Sequence, residues 1–175
     1  MNARLIYAFL PCALLAAGCV SPDRGTVPEV ICGVRSDPGL TRLVVTPGSE
    51  WREYNRVDRE QAITAPCSVL SGKKVILDLG FSWRPTAADL MYLARNTGNV
   101  AGVTAPRAVD SRYDTVVGTD GAISQAPCKT KTGNYFTLTL QLPQIKLTDQ
   151  THRDDIEKFM RVYFPATVGT LGCRR

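Results

Sequence analysis

The 175 residues carry 21 Lys and Arg against 16 Asp and Glu, a formal net charge of +5. Hydrophobic residues make up 44% and charged residues 21%, an ordinary globular balance that excludes intrinsic disorder and leaves enough length for one domain with a real core. The basic excess does not point to nucleic acid, because the signs interleave: Arg52-Glu53-Tyr54-Asn55-Arg56-Val57-Asp58-Arg59-Glu60 reads as a solvated face.

The N-terminal segment reads as an export signal. Met1-Asn2-Ala3-Arg4 is a short basic start, residues 5–15 are apolar with Pro11 among them, and Leu15-Ala16-Ala17-Gly18-Cys19 places small residues before a cysteine. The apolar run is shorter than the ~20 residues a spanning helix needs. The segment resembles a bacterial lipoprotein signal peptide with its lipobox, with Ala16 where that pattern most often has Leu. The resemblance implies cleavage before Cys19 and diacylglycerol, with or without an N-acyl chain, on the Cys19 thiol. It also implies an extracytoplasmic address at the cell membrane and loss of Cys12 with the signal. Two acyl chains anchor a protein stably where one does not.

The expected organisation is a signal peptide over residues 1–18, a lipidated tether over 19–30 and a single disulfide-bonded domain over 31–175. The tether reading rests on Ser21-Pro22-Asp23-Arg24-Gly25-Thr26-Val27-Pro28-Glu29, polar and broken by two prolines and a glycine. After it, residues 42–46 read as a short strand, and Ser49 onward through Trp51 as a helix.

Two stretches then resemble each other. Ala65-Pro66-Cys67 and Ala126-Pro127-Cys128 are each followed, five residues after the cysteine, by a glycine, Gly72 and Gly133. Each glycine precedes a period-2 apolar run: Val75, Leu77, Leu79, Phe81 and Trp83 in one, Phe136, Leu138, Leu140 and Leu142 in the other. That period makes both runs strands with one inward face. A helix follows each, opened by Thr86 with Asp89 and by Thr151 with Asp154. The first is expected to end near Asn96, with Gly98 near its C-cap. The second presents Ile156, Phe159, Met160, Tyr163 and Phe164 as one apolar stripe, and Pro165 is expected to stop it. The pattern raises the question of two related strand–helix units. Between them, Asp120-Gly121 separates residues 113–118 from 122–125 and marks a hairpin. The fold class is therefore α+β, a mainly antiparallel sheet with two or three helices packed on it.

Without Cys12 and Cys19, four cysteines remain: Cys32, Cys67, Cys128 and Cys173. In an exported chain they imply two disulfides. A metal site is disfavoured, since there is no C-x-x-C pair and His152 is the sole histidine. Three pairings are open. Cys32–Cys67 with Cys128–Cys173 is preferred, because each bridge closes a moderate loop around one half of the chain.

Catalytic grammar is sparse. There is no G-x-S-x-G elbow, H-E-x-x-H helix or phosphate loop. Ser71-Gly72-Lys73-Lys74 and Lys131-Thr132-Gly133 match fragments of the serine β-lactamase pattern, but the serine falls in a turn rather than at the start of a buried helix. His152 reads as a surface residue. Asp78 falls on the solvent face of its strand. Trp83, Tyr92, Tyr135 and Phe136 read as core or sheet-face packing before ligand contacts. No catalytic residue, metal ligand or cofactor is therefore nominated.

The chain as a whole resembles the small uncharacterised lipoproteins of high-GC Gram-positive bacteria. That likeness rests on the lipobox, the Pro-containing tether, the paired cysteines and the late helix with Asp154-Asp155-Ile156-Glu157-Lys158-Phe159-Met160. The expectation is a non-catalytic envelope protein, held to membrane lipid by its anchor, with an envelope protein or cell-wall component as partner and no nucleic acid. The alternative is a small cell-wall hydrolase working through paired carboxylates.

Overall fold

A computed structural model describes residues 26–46, 48, 50–55, 63–96, 102–145 and 152–173. Its centre is a seven-stranded sheet in the order β3-β4-β5-β9-β8-β7-β6, in which every neighbouring pair is antiparallel. The strands are β3 (Trp51–Asn55), β4 (Thr64–Ser71), β5 (Lys74–Arg84), β6 (Arg107–Val109), β7 (Asp114–Val117), β8 (Gly121–Pro127) and β9 (Tyr135–Gln141). A small hairpin, β1 (Val30–Ile31) with β2 (Val34–Arg35), stands apart from the sheet. Three helices complete the fold: α1 (Pro38–Val44), α2 (Leu90–Arg95) and α3 (His152–Thr170). The α+β class, the antiparallel sheet and the presence of two disulfides are as the sequence implied, and the bridges Cys32–Cys67 and Cys128–Cys173 follow the preferred one of the three open pairings.

The two long strands follow from their alternation. Leu77, Leu79, Phe81 and Trp83 of β5 and Phe136, Leu138 and Leu140 of β9 are all buried in one cluster with Ile156, Phe159, Met160, Tyr163 and Phe164 of α3. Rings fix the centre: Phe136 lies 5.3 Å from Trp83, 6.0 Å from Phe81 and 5.8 Å from Phe164, the last nearly parallel. The α3 stripe therefore meets the inward faces of β5 and β9, as period 3.6 against period 2 requires.

Several local expectations give way. Residues 42–46 are not a strand; residues up to Val44 belong to α1. The start signal lies upstream, where the Asp37 carboxylate accepts from the Leu40 amide and Pro38 occupies the first turn, a position that suits its fixed φ. Trp51 begins strand β3 rather than a helix, because its partner β4 offers a full edge, pairing Trp51 with Ser71 through to Asn55 with Cys67. Helix α2 is capped by Asp89, which accepts from the Tyr92 amide, and not by Thr86. It ends near Asn96, as expected, with Asn96 itself as the C-cap; Gly98 and Thr151 lie outside the described residues.

Pro165 does not end α3, which runs on to Thr170. A proline inside a helix removes one backbone bond and crowds the preceding turn. Here Phe164 and Thr167 are buried on the core side, Thr167 Oγ1 donates to the Tyr163 carbonyl at 2.8 Å, and Cys173 is bonded back to Cys128. Tertiary packing and that bond hold the last turn against the proline.

The folded body begins before residue 31, the expected start of the domain. Val27 is buried, and the Thr26 carbonyl accepts from Trp51 Nε1 at 2.9 Å and from the Gly48 amide at 3.4 Å. The folded body thus reaches back to Thr26. Beyond it, the β1–β2 turn places Cys32 and Gly33 at φ +50° and +73°, the left-handed pair that a two-residue hairpin needs. Glu53 Oε1 accepts from the Cys32 amide at 2.6 Å.

The two resembling stretches are not two copies of one unit. β5 and β9 are antiparallel neighbours with β4 and β8 outside them, so an axis perpendicular to the sheet would exchange the hairpins and keep their helices on one face. The helices break this relation. Residues along β8 alternate between the two clusters: Ala122 and Ala126 face the core that holds α3, while Ile123 faces Leu90 and Ala94 of α2. The helices lie on opposite faces, and the shared Ala-Pro-Cys sits differently in the two stretches, inside β4 in one and at the end of β8 in the other.

Tyr163 ties α3 to the small hairpin, donating from its buried hydroxyl to the Ile31 carbonyl at 2.9 Å. Tyr163→Phe keeps the ring and leaves that carbonyl buried without this donor, a loss of about 1–3 kcal/mol. Urea unfolding of the two proteins side by side measures it; equal midpoints would show that the bond contributes nothing.

Candidate functional site

Among the described residues, the face of the sheet opposite α3 is only partly covered. Helix α2 touches β7 and β8, leaving the outer face of β4, β5 and β9 beside it. There the structure has an open trough of about 450 Å³, lined among others by Thr64, Pro66, Asp78, Ser82, Arg84, Leu93, Thr137, Thr139 and Gln141. Its size falls within the range of small-molecule sites.

The register sets its layout. Asp78 pairs with Gln141, Gly80 with Thr139, Ser82 with Thr137 and Arg84 with Tyr135, while β4 adds Ser68, Pro66 and Thr64 opposite Asp78, Gly80 and Ser82. These are the alternate positions to the buried apolar row, so every side chain named points away from the core. Asp78 and Arg84 are six residues apart, and the carboxylate and guanidinium stand at opposite ends of a run of about 20 Å. The floor at mid-length is low because Gly80 has no side chain: a Cβ there would come within 2.4 Å of Thr139 Oγ1.

Two polar atoms of this wall are unsatisfied. Thr137 is 1% exposed, and neither its Oγ1 nor Arg84 Nε has a hydrogen-bond partner among the described residues. Other lining groups are engaged: Gln141 Nε2 donates to the Gly102 carbonyl at 2.9 Å, and Thr139 Oγ1 donates to the Gly80 carbonyl at 3.3 Å.

The residues singled out in the sequence fall elsewhere or take other roles. Cys19 lies outside the described residues. Cys32, Cys67 and Glu53 bring ligand-type atoms within 4.8 Å of one another, but both sulfurs are in a disulfide and Glu53 serves the Cys32 amide, so the cluster is structural. Ser71 and Lys74 flank the β4–β5 turn, whereas Lys131, Thr132 and Gly133 lie at the other end of β5, where Gly133 abuts the Arg84 backbone. The two β-lactamase-like fragments are thus a strand's length apart, about 33 Å. His152 opens α3 and lines a separate pocket with Arg42 and Gln144. Trp83 and Phe136 are core residues and Tyr92 is 65% exposed on α2, so these aromatics form no shared ligand platform.

Asp120-Gly121 does make its hairpin, for an unexpected reason. A Cβ on Gly121 would strike the Leu140 carbonyl at 2.3 Å, and Asp120 fastens the preceding loop by accepting from the Thr104 amide and hydroxyl, both at 2.7 Å. The glycine allows strand contact and the carboxylate anchors a loop.

Sequence reasoning missed the trough. Its signal was present as the polar complement of the apolar rows: Asp78, Gly80, Ser82 and Arg84 on one strand, Tyr135, Thr137, Thr139 and Gln141 on the other. That the rows lie side by side is decided by pairing across more than fifty residues. Among the described residues no helix is long and apolar enough to cross a membrane. No protein-family model, curated protein or solved structure matches the chain.

Proposed function

We propose that this chain is a membrane-anchored extracytoplasmic lipoprotein of the cell envelope, acting without catalysis as a binding or accessory protein that works through the open face of its sheet. The observation that carries the binding role is the trough along β4, β5 and β9, open among the described residues and holding side-chain atoms without a hydrogen-bond partner there. The anchor reading rests on the sequence around Cys19, and two disulfides suit an exported domain.

The tether gives this proposal a geometry. Seven residues separate Cys19 from Thr26, a reach of at most about 25 Å. Thr26 is held by Trp51, which pairs with Ser71 beside the β4–β5 turn. Lys73 and Lys74 follow at that turn, and Arg52 donates to the Gly72 carbonyl at 2.9 Å. With lipid on Cys19, this basic end faces the bilayer, where each such charge near anionic headgroups contributes about 1 kcal/mol. The trough then runs outward, with Asp78 nearer the membrane and Arg84 farther from it.

In-cell crosslinking followed by purification from the membrane fraction tests the reading, with wild type and Cys19→Ala in parallel. The expected result is palmitate labelling of wild type only, and an envelope protein or wall fragment recovered with wild type and lost with the variant. Labelling of Cys19→Ala equal to wild type would remove the anchor; no enriched partner in either sample would remove the accessory role. The alternative, a carboxylate hydrolase acting on cell-wall material, needs a second acid within reach of Asp78. Release of wall fragments by wild type and its loss in Asp78→Asn would establish it instead.

A further inference from the structure

The trough has chemically different ends, and the Arg84 end has the features of a site awaiting an acceptor. Arg84, Ser82 and Thr137 occupy adjoining positions on β5 and β9, with Ser82 directly opposite Thr137 and Arg84 diagonal to it. All three line the same open volume. Arg84 has no ion-pair partner among the described residues, and its Nε has no acceptor. Thr137 Oγ1, on a side chain almost wholly buried, is likewise without a partner.

Buried polar atoms are normally satisfied, and leaving them unpaired is costly. Two such atoms, neighbours on one wall and one of them on a guanidinium, need an explanation that a packing residue would not. A single acceptor group seated over this face of the two paired strands would satisfy both. A planar or tetrahedral oxyanion fits best, because guanidinium donors match carboxylate and phosphate oxygens and the flanking hydroxyls of Ser82 and Thr137 add further donors. The only acid lining the trough among the described residues, Asp78, is about 20 Å away along the strand, so the Arg84 end carries unopposed positive charge.

We infer that the Arg84 end of the trough binds the oxyanion of a small ligand, a carboxylate or a phosphate ester, with Arg84, Ser82 and Thr137 as its donors. This deepens the binding reading proposed above and does not depend on lipid at Cys19, so its test is independent of membrane anchoring.

The test is a titration of the isotope-labelled full chain, in detergent, followed by amide NMR shifts. Glucuronate supplies the carboxylate arm, glucose 6-phosphate the phosphate arm and glucose the neutral control. The expected result is that at least one anion shifts the amides of Ser82, Arg84 and Thr137 while glucose does not, and the responding arm identifies the oxyanion. Arg84→Gln and the near-isosteric Thr137→Val should each weaken the response at least tenfold, and Arg84→Lys should retain part of it. The same spectra show whether each variant is folded; if Arg84→Gln is not, Thr137→Val and Arg84→Lys decide. No shift with either anion, equal shifts with glucose, or a response unchanged in the folded variants would overturn the inference.

Discussion

Phe136→Ala is expected to remove about 3–5 kcal/mol of stability, a large fraction of what a domain of this size has. Phe136 is 0% exposed and lies where β9, β5 and α3 converge, with the rings of Trp83, Phe81 and Phe164 all within 6.0 Å. Truncation loses the transfer free energy of the ring. It also leaves a cavity that neighbours cannot fill, since Trp83 and Phe81 are held on one strand and Phe164 on a helix pinned by a disulfide. The measurement is urea unfolding, in which the midpoint should fall with the slope unchanged. Thr137→Val, one residue along and on the other face, provides the contrast. It removes an unpaired buried hydroxyl while keeping shape, so stability should hold or rise. A loss below about 1 kcal/mol for Phe136→Ala would mean that the ring cluster is not the centre of the core.

Removing the C-terminal disulfide, as Cys128→Ser with Cys173→Ser, should cost about 4 kcal/mol on loop-closure entropy, since the bridge spans 45 residues. The effect has a local component. Cys173 follows the last turn of α3 beyond Pro165, where hydrogen bonds such as Thr170 Oγ1 to the Thr167 carbonyl do part of the holding. Without the bridge that turn should fray, and amide exchange over residues 166–171 should rise before the rest of the helix. The other bridge, Cys32–Cys67, spans 35 residues and contributes comparably, but both its cysteines are fully buried while Cys173 is half-buried. Under native conditions dithiothreitol should therefore open Cys128–Cys173 first. Alkylation and mass mapping give the order, and faster opening of Cys32–Cys67 would contradict the burial.

The errors of the sequence reading have two causes, local caps and tertiary partners. Residues 42–46 contain Leu43, Val44 and Val45, which favour strands locally, yet the capping Asp37 and first-turn Pro38 start a helix whose buried Thr41 and Val44 face inward. Trp51 through Asn55 has mixed polarity because it is an edge strand, mostly exposed, and an edge strand need not alternate cleanly. Pro165 is a correct local signal overridden by burial and a disulfide. For Trp51–Asn55 and Pro165 a tertiary partner was stronger than a preference of a few tenths to a few kcal/mol, whereas at residues 42–46 an upstream cap outweighed local strand propensity.

Periodicity alone determined that β5 and β9 are strands and which of their faces is buried, because alternation with period 2 leaves one solution. The stripe of α3 was equally legible, since spacing of three and four residues is geometry rather than context. The count of cysteines called for two bridges, and the small residues before Cys19 motivated the anchor. Only the tertiary structure decided that β5 and β9 are neighbours, that α2 and α3 lie on opposite faces, and that, among the described residues, the sheet face under α2 is only partly covered. Those three facts make the trough, and none is local: each depends on contacts between segments far apart in the chain, whose formation is selected by burial of the whole core.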